Sequence, residues 1–566
     1  MPGFYITNYP TTVDIKQYYN KNDYLYESAK CGEFQIQRMT LKTFLDDKLF
    51  CEINEYFVVL EGVIFNKQDL LQAYGCTDLS HLVGKMIEVH GLSFFEKLDG
   101  LVSGAILDKK NNRWITFTDA LGQKGVFYYS DKKSLVIGSQ LIFVTDTMKL
   151  NHLERKANIR ALSSFVKLGC YSDLETGIEK VFRLYPGNYL IMENSEYHQK
   201  SYFKFDDSVK VSLTDDEAIE QLDKLFLNAV NKAITKNSEY GYVNLVDISG
   251  GADTRAIVFA TEKLSQNISY MHYSQIGSNE KSVSEKIVRD FKHPFYYESL
   301  DDALFFKAID EYIQMNSGTA YYCGITGGLR VLEKISQSNF GIEFSGVLGN
   351  VYDGTMLREN GENKPDIYNK EFVFSNAIES VDMSWISSLN YFKTDELFWF
   401  YNRGMMFGMS TFLSKQYYIE PFTPFGDKDF VQFWLSIPWK QKRNKLLLKW
   451  LYKKYPKSME YNYASLGYKL KYELSNVTRV PHLILYKMKE KYFLHSKGCN
   501  PAKMNPFDYY ERTAEWLIPF INAYINENLP NEDSIKELIV KTQNGKGIKD
   551  KYISASLASY YKNFIQ

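Results

Sequence analysis

The sequence predicts an α+β domain with packed antiparallel sheets over residues 1–205, followed by an α/β domain with a doubly wound parallel sheet over 210–455 and a mainly helical extension over 456–566. Three observations carry this reading. The first part holds short β-branched or apolar runs separated by polar, hairpin-type clusters. The second part alternates strand-like and helix-like segments, the pattern of repeated β-α-β units with helices on both faces of a sheet. Between them, Thr214 followed by Glu217 opens a long helical periodicity.

In chain order, strands are predicted at Phe57–Asn66, Gly100–Asp108, Arg113–Asp119 and Ser134–Ser139, with helices around Leu70–Tyr74, Leu79–His90 and Ile159–Leu168. The clusters Asp108–Asn112 and Ser130–Lys133 join neighbouring runs as turns. After Thr214, the apolar residues Ile219, Leu222, Phe226, Ala229, Val230 and Ala233 recur at helical spacing. A strand at Tyr242–Ile248 then leads to a helix at Arg255–Leu264. Strands at Ile268–Tyr273, Phe295–Ser299 and Ile342–Ser345 alternate with helices at Lys281–Phe291 and Ala303–Met315. The extension after about residue 455 is rich in lysine and tyrosine and points to no chemistry.

Composition narrows the function. Of 566 residues, 67 are Lys or Arg and 68 are Asp or Glu, a net charge of −1, which argues against a dedicated nucleic-acid binder. The six cysteines form no CxxC pair, so neither a zinc ribbon nor a disulfide framework is expected. The eight histidines show no metal-ligand spacing. No long apolar stretch or signal-peptide pattern is present, and a cytoplasmic protein without membrane contact is the expectation.

The sharpest local feature is Val246-Asp247-Ile248-Ser249-Gly250-Gly251-Ala252-Asp253-Thr254-Arg255, an apolar strand running through two glycines into a helix. The glycines remove Cβ atoms that would block a polyanion, and the free amides of the helix start point towards it. Ser249 and Thr254 add hydroxyl donors. Asp253 would repel phosphate unless a divalent cation lies between them, so a magnesium-bound nucleotide suits this loop. The lysine and spacing of a Walker loop are missing. A plain strand-to-helix turn would read the same way.

In context, Ser249–Thr254 resembles the pyrophosphate loop SGGxD[ST] of the ATP-pyrophosphatases, and other motifs in collinear order resemble the asparagine synthetase family. They are Lys97–Gly100 with Asp108, Asp119 with Gly122, Phe127–Tyr129 with Gly138-Ser139, and Leu184–Gly187 with Tyr202. Ser345-Gly346 with Gly349-Asn350 and Asp353-Gly354 follow, then Glu420, Pro424-Phe425, Asp427, Pro438 and Lys449. The resemblance implies an Ntn-hydrolase-like glutamine amidotransferase domain before an adenine nucleotide α-hydrolase-like synthetase domain. It implies a ligase that uses ATP and Mg2+ to activate an aspartate-like carboxylate as acyl-AMP, releases pyrophosphate, and lets a nitrogen nucleophile attack. By position, Ser249, Gly250, Gly251, Asp253 and Thr254 would hold pyrophosphate, and Gly346 would lie against the nucleotide. Asp253 and Asn350 would face magnesium. Lys449 would neutralise the leaving charge, although Lys440–Lys457 is basic enough to be a solvated helix face.

The chain also departs from that family. Pro2 stands where a glutaminase needs its N-terminal cysteine, Glu61-Gly62 replaces the oxyanion-hole Asn-Gly, and the substrate-holding R-G-P-D is absent between Gln35 and Leu49. No glutaminase activity is expected. In the second domain Val347 takes the place of an acidic residue and Asn350 that of a magnesium-side acid. Loss of a general base costs about 10²–10⁴-fold in rate, which ammonia or a free amine can survive. Asp353 is an alternative donor. The expected partners are a small-molecule or peptide carboxylate and ammonia or an amine, and pairing as a homodimer is compatible with the sequence. Two alternatives stay open: a cyclase of the peptide-macrolactam or β-lactam type, and a pseudoenzyme acting as a binding scaffold.

Overall fold

The computed structural model describes residues 2–19, 24–131, 134–171, 174–193, 196–322, 326–335, 339–352, 373–378, 393–464, 468–469, 481, 484–485, 488, 507–547 and 549–566. Twelve strands of the first part form two antiparallel sheets. They are β1 (Gly3–Thr7), β2 (Tyr24–Cys31), β3 (Phe34–Leu41), β4 (Leu49–Ile53), β5 (Tyr56–Ile64), β6 (Gly100–Asp108), β7 (Arg113–Phe117), β8 (Phe127–Ser130), β9 (Leu135–Gly138), β10 (Phe182–Arg183), β11 (Asn188–Glu193) and β12 (Glu196–Ser201). The sheet orders are β10-β8-β9-β1-β3-β2 and β12-β11-β7-β6-β5-β4. Strand side chains alternate between faces. Phe4, Ile6 and Ile36 therefore meet Phe57, Val59, Ala105 and Leu107 between the sheets. On the outer faces, Val58 and Leu60 pack against α2 (Leu79–His90), which follows α1 (Lys67–Tyr74). Tyr5, Phe127 and Val136 pack against α3 (Leu141–Leu150) and α4 (Ile159–Leu168). The result is a helix–sheet–sheet–helix sandwich.

Thr214 caps the next helix, α5 (Asp215–Glu239). Its hydroxyl accepts from the Glu217 amide while the Glu217 carboxylate accepts from the Thr214 amide, the reciprocal capping box that the spacing predicts. Five parallel strands follow, in the order β15 (Phe295–Ser299), β14 (Ile268–Ser274), β13 (Val243–Asp247), β16 (Phe340–Phe344), β17 (Glu420–Phe422). One face, with Val246, Tyr270, Ile342 and Phe344, is covered by α5, α6 (Ala252–Leu264) and α7 (Asn279–Phe291). The other, with Leu245, Met271 and Tyr273, is covered by Ile309–Met315 and Thr326–Lys334. The sheet is thus doubly wound. Strand order turns back between β13 and β16, and the crevice of such a sheet lies at the carboxyl ends there.

One local expectation differs, and one strand was not expected. The single helix expected at Ala303–Met315 is a 3-10 turn (Leu304–Lys307) and then a helix (Ile309–Met315), and Ala303 sits at a φ of 55°. β17 spans only three residues, too few to show a pattern. The helices Leu517–Glu527, Asp533–Gln543 and Asp550–Tyr560 do not stand apart. Tyr552, Ile553 and Leu557 share one core with Phe165 of α4 and with Phe305, Phe306 and Ile309. Among the described residues, no helix is long and apolar enough to cross a membrane.

Candidate functional site

β13 ends at Asp247, and Ile248–Gly251 lead into α6 at Ala252. The return from β16 runs through Ser345–Asn350 beside it. At this turning point lies a cavity of about 300 Å³ lined by Ser249, Gly251, Asp253, Thr254, Gly346 and Asn350. Asp247, Tyr273, Val347, Arg403 and Thr411 complete much of the wall. Absence of side chains sets how closely the two loops approach. A Cβ on Gly349 would overlap Cβ and Cγ of Asp253, and one on Gly346 would come within 2.8 Å of Thr254 Cγ2. Leu348 holds a left-handed φ of 75°. Its side chain is buried, and Gly404 and Gly426 leave it room.

The loop is closed on itself. Ser249 Oγ and Thr254 Oγ1 lie 2.8 Å apart, the Ser249 amide donates to Thr254 Oγ1 (3.2 Å), and the Gly251 amide donates to Ser249 Oγ (3.2 Å). The Gly250 amide donates to the Glu280 carboxylate, and burial raises the pKa of that carboxylate. Arg255, buried, ties down the chain that passes over the loop. It donates to the carbonyls of Gly250 (3.1 Å), Ser458 (3.0 Å), Tyr461 (3.2 Å) and Asn462. Ala464 follows, its amide donating to the Gly250 carbonyl at 3.4 Å, so an uncharged residue lies against the glycines.

Beneath the cavity is a buried charge cluster. Lys415 Nζ lies 2.6 Å from Glu343 and 3.6 Å from Asp247. Burial, partly offset by Lys415, pushes the Glu343 carboxyl up to about 7, and the Asp247 charge adds to this. The Asp247 carboxyl is likewise raised by burial. Two carboxylates share one cation, so the pair retains a proton well above the ordinary carboxylate range. His272 supports the loop from below, Nδ1 2.7 Å from the Ile248 carbonyl and Nε2 2.9 Å from Ser274 Oγ. Burial depresses its pKa to about 4, so it is neutral.

Of the residues expected from sequence, Ser249, Gly251, Asp253, Thr254, Gly346 and Asn350 all line the cavity. Gly250 lies behind them, turned to Glu280. Lys449 is not brought there: its Nζ lies 2.6 Å from Asp215 at the start of α5. Asp353 lies outside the described residues. Asp253 and Asn350 offer the oxygen donors that suit magnesium, though too few to hold it without a phosphate ligand. Among the described residues, no group of three or more His, Cys, Asp or Glu side chains could hold a metal alone.

In the sandwich, Pro2 is buried at the head of β1, a strand with no cysteine. Glu61, also buried, accepts from Thr40 Oγ1 (2.7 Å) and lies 3.5 Å from Lys48. Lys48 in turn lies 4.0 Å from Glu420 on β17, and Lys124 lies 2.6 Å from the same carboxylate. These ions join the sandwich to the parallel sheet.

Sequence reasoning missed Asp247, Glu280, Glu343, Arg403 and Lys415. Asp247 and Glu343 were findable, because Asp247 ends a buried strand and Glu343 interrupts the apolar run Phe340–Phe344. Arg403 and Lys415 sit on helical segments whose charge pattern is ordinary.

Residues 41–203 match a family described as a glutamine amidotransferase domain. Over 282 residues the chain is 23% identical to the putative asparagine synthetase [glutamine-hydrolyzing] 2 of Methanocaldococcus jannaschii, covering 48% of this chain and 52% of that protein. It is also 23% identical over 270 residues to asparagine synthetase [glutamine-hydrolyzing] 2 of Bacillus subtilis, covering 44% and 35%. The chain spans about half the length of these curated relatives, or less. Among solved structures, the allosteric regulatory enzyme of purine biosynthesis is 11% identical with a TM-score of 0.23, covering 47% of this chain and 67% of that one, and carries no argument at that score. The chain is thus similar, at low identity, to asparagine synthetases, and residues 41–203, most of the sandwich, match a glutamine amidotransferase domain.

Proposed function

We propose that this chain is an ATP-dependent, amide-forming ligase of the asparagine synthetase type, with a glutaminase domain that has lost its chemistry. One observation carries the proposal: six of the residues expected to hold a magnesium-bound nucleotide, four of them expected at its pyrophosphate, converge on one cavity at the turning point of the parallel sheet. We read that sheet as adenine nucleotide α-hydrolase-like, with the division 1–205, 210–455 and 456–566 as its domain plan.

In this reading the Gly250 and Gly251 amides and the Ser249 and Thr254 hydroxyls receive the phosphates of ATP. For that, Glu280 must release the Gly250 amide and Ser249 Oγ must turn from Gly251. Asp253 and Asn350 hold magnesium, which neutralises phosphate charge. A carboxylate attacks the α-phosphorus, pyrophosphate leaves, and ammonia or a substrate amine displaces AMP to form the amide. Lys449 serves the leaving charge only if it quits Asp215. Val347 supplies no base, and with Asp253 given to magnesium, Asp247 is the other carboxylate on the cavity wall and takes the amine proton. Glutamine is not the nitrogen source, because β1 carries no cysteine and Glu61 would oppose an oxyanion. None of the four described cysteines Cys31, Cys51, Cys76 and Cys170 is in a disulfide, which favours a reducing, cytoplasmic setting.

The test is pyrophosphate release from MgATP with a panel of small acids and ammonia, with Asp253→Ala as control. Release that falls by at least about tenfold in the variant supports the ligase, and equal release from both proteins removes it. A second reading, a binding scaffold without turnover, is favoured by Glu280 on the Gly250 amide. Calorimetry showing no MgATP affinity in a folded protein supports that reading.

A further inference from the structure

The backbone amides of Gly250, Gly251 and Ala252 lead into α6, and each is taken by a group of the chain itself. The Gly251 amide donates to Ser249 Oγ (3.2 Å), within the loop. The Ala252 amide donates to the hydroxyl of Tyr463, on the segment that Arg255 holds over the loop. The Gly250 amide donates to the carboxylate of Glu280, which comes from another element. Glu280 is the second residue of α7, whose start is capped by Ser278 Oγ accepting from the Lys281 amide (3.1 Å). Its neighbour Asn279 donates to the Ala464 carbonyl (3.2 Å), so one helix start holds both the loop and the segment above it. Ala464 crowds Gly250 as well: a Cβ there would stand 2.4 Å from Ala464 Cβ and 3.0 Å from Glu280 Oε2. Among the described residues no cation lies within ion-pair distance of Glu280, and Arg255 acts on it only from further away. Burial raises its pKa, so its charge is costly where it stands.

A carboxylate held by one amide and by no cation is an exchangeable ligand, not a structural tie. The amide it holds belongs to a helix start, where any anion is welcome. We infer that Glu280 is an internal competitor for the phosphate place on the Gly250 amide, setting which anions the loop accepts and how readily pyrophosphate leaves. A tethered group of this kind acts at a roughly millimolar effective concentration. It lowers the affinity of every ligand that needs this amide by the same factor, the fraction of time the amide is free. Magnesium-bound pyrophosphate or ATP also meets Ser249, Thr254 and Asp253 and survives that factor, whereas inorganic phosphate, with fewer contacts, does not. After the reaction, return of the Glu280 carboxylate to the Gly250 amide displaces pyrophosphate. This rests on the reading of Ser249–Thr254 as a pyrophosphate loop, and the titrations below separate the failure of one from the failure of the other.

The experiment is calorimetric titration of the full chain, wild type, Glu280→Ala and Glu280→Gln, with magnesium pyrophosphate, MgATP and inorganic phosphate. Glu280→Ala is expected to tighten magnesium pyrophosphate and MgATP by at least about tenfold, the worth of one charge-assisted hydrogen bond. Glu280→Gln keeps an acceptor without the charge and should fall between Glu280→Ala and the wild type. Tyr463→Phe, which frees the Ala252 amide, should tighten pyrophosphate by a smaller factor. A glutamate that merely braced the loop would give the opposite sign, because its loss would weaken binding. If Glu280→Ala does not fold, Glu280→Gln must tighten pyrophosphate by itself, or the inference fails. Equal or weaker pyrophosphate binding by the folded variants, beside a wild type that binds MgATP, overturns the inference and leaves the ligase standing. A wild type that binds inorganic phosphate as tightly as magnesium pyrophosphate also overturns it. Polyphosphate binding by Glu280→Ala alone supports it and makes the wild type a latched form. No polyphosphate binding by any of the proteins removes both this inference and the pyrophosphate loop.

Discussion

At the scale of single residues, the floor of the cavity is governed by charges taken out of water. Lys415 is the only cation within ion-pair distance of both Asp247 and Glu343 among the described residues. Lys415→Met leaves two buried carboxylates without it and is expected to destabilise the fold by about 3–5 kcal/mol. Glu343→Gln leaves Lys415 with Asp247 and should cost much less. Urea unfolding of both variants checks the order, and equal losses would contradict the shared-cation account. His272 gives the pH dependence. Its folded pKa of about 4 lies below the ordinary 6.5, so between those values the unfolded chain binds the extra proton. Stability from this group is present above about pH 6.5 and is lost as the pH falls towards 4, with a slope near 1.4 kcal/mol per pH unit. Unfolding curves of wild type and His272→Gln across that window should converge as the pH falls, and parallel curves would show that His272 is not buried neutral. The carboxylates of this cluster could be suspected from sequence, where one ends and the other interrupts a buried strand. The lysine that joins them could not, because only the tertiary fold brings position 415 beside 247 and 343.

At the scale of elements, the site depends on backbone approaching backbone. The sequence announces the Ser-Gly-Gly turn and the capping box at Thr214, because both are local chemistry written in consecutive residues. It does not announce how the Ser345–Asn350 return docks on α6. There Gly349 is required for proximity, since a Cβ would meet Asp253. Gly349→Ala should displace Asp253 and weaken nucleotide binding by at least about tenfold with the fold retained. Gly277→Ala, where nothing lies within 4 Å of the added carbon, is the control and should be neutral. Calorimetry with MgATP distinguishes them, and identical affinities would show that Asp253 is not part of the site. Strands written as compact apolar or β-branched runs bounded by turn residues, such as β6 and β15, were legible to the residue. β1–β4, β8, β10–β12 and the three-residue β17 were not, because polar or short runs acquire their faces only from the sheets that bury them.

At the scale of the whole molecule, the parts are locked together by polar and apolar contacts. Lys124 and Lys48 on the sandwich meet Glu420 on the parallel sheet, and Asp47 meets Lys236 of α5 at 3.1 Å. The last helices close the other side against α4 and Phe305–Ile309. Glu61 stands where the resemblance places an oxyanion hole, and it now belongs to this ionic seam. The order of an antiparallel part followed by a parallel sheet was visible in the sequence. The seam was not, since its ions lie hundreds of positions apart.

The claim on which this account depends is that Ser249–Thr254, with the return at Gly346–Asn350, takes up the phosphates of a magnesium-bound adenine nucleotide. Equilibrium titration of the full chain with MgATP, beside Asp253→Ala, measures it directly. Saturable binding by the wild type that weakens markedly in the variant is the predicted result. A folded wild type that gives no heat with MgATP at any concentration would contradict it.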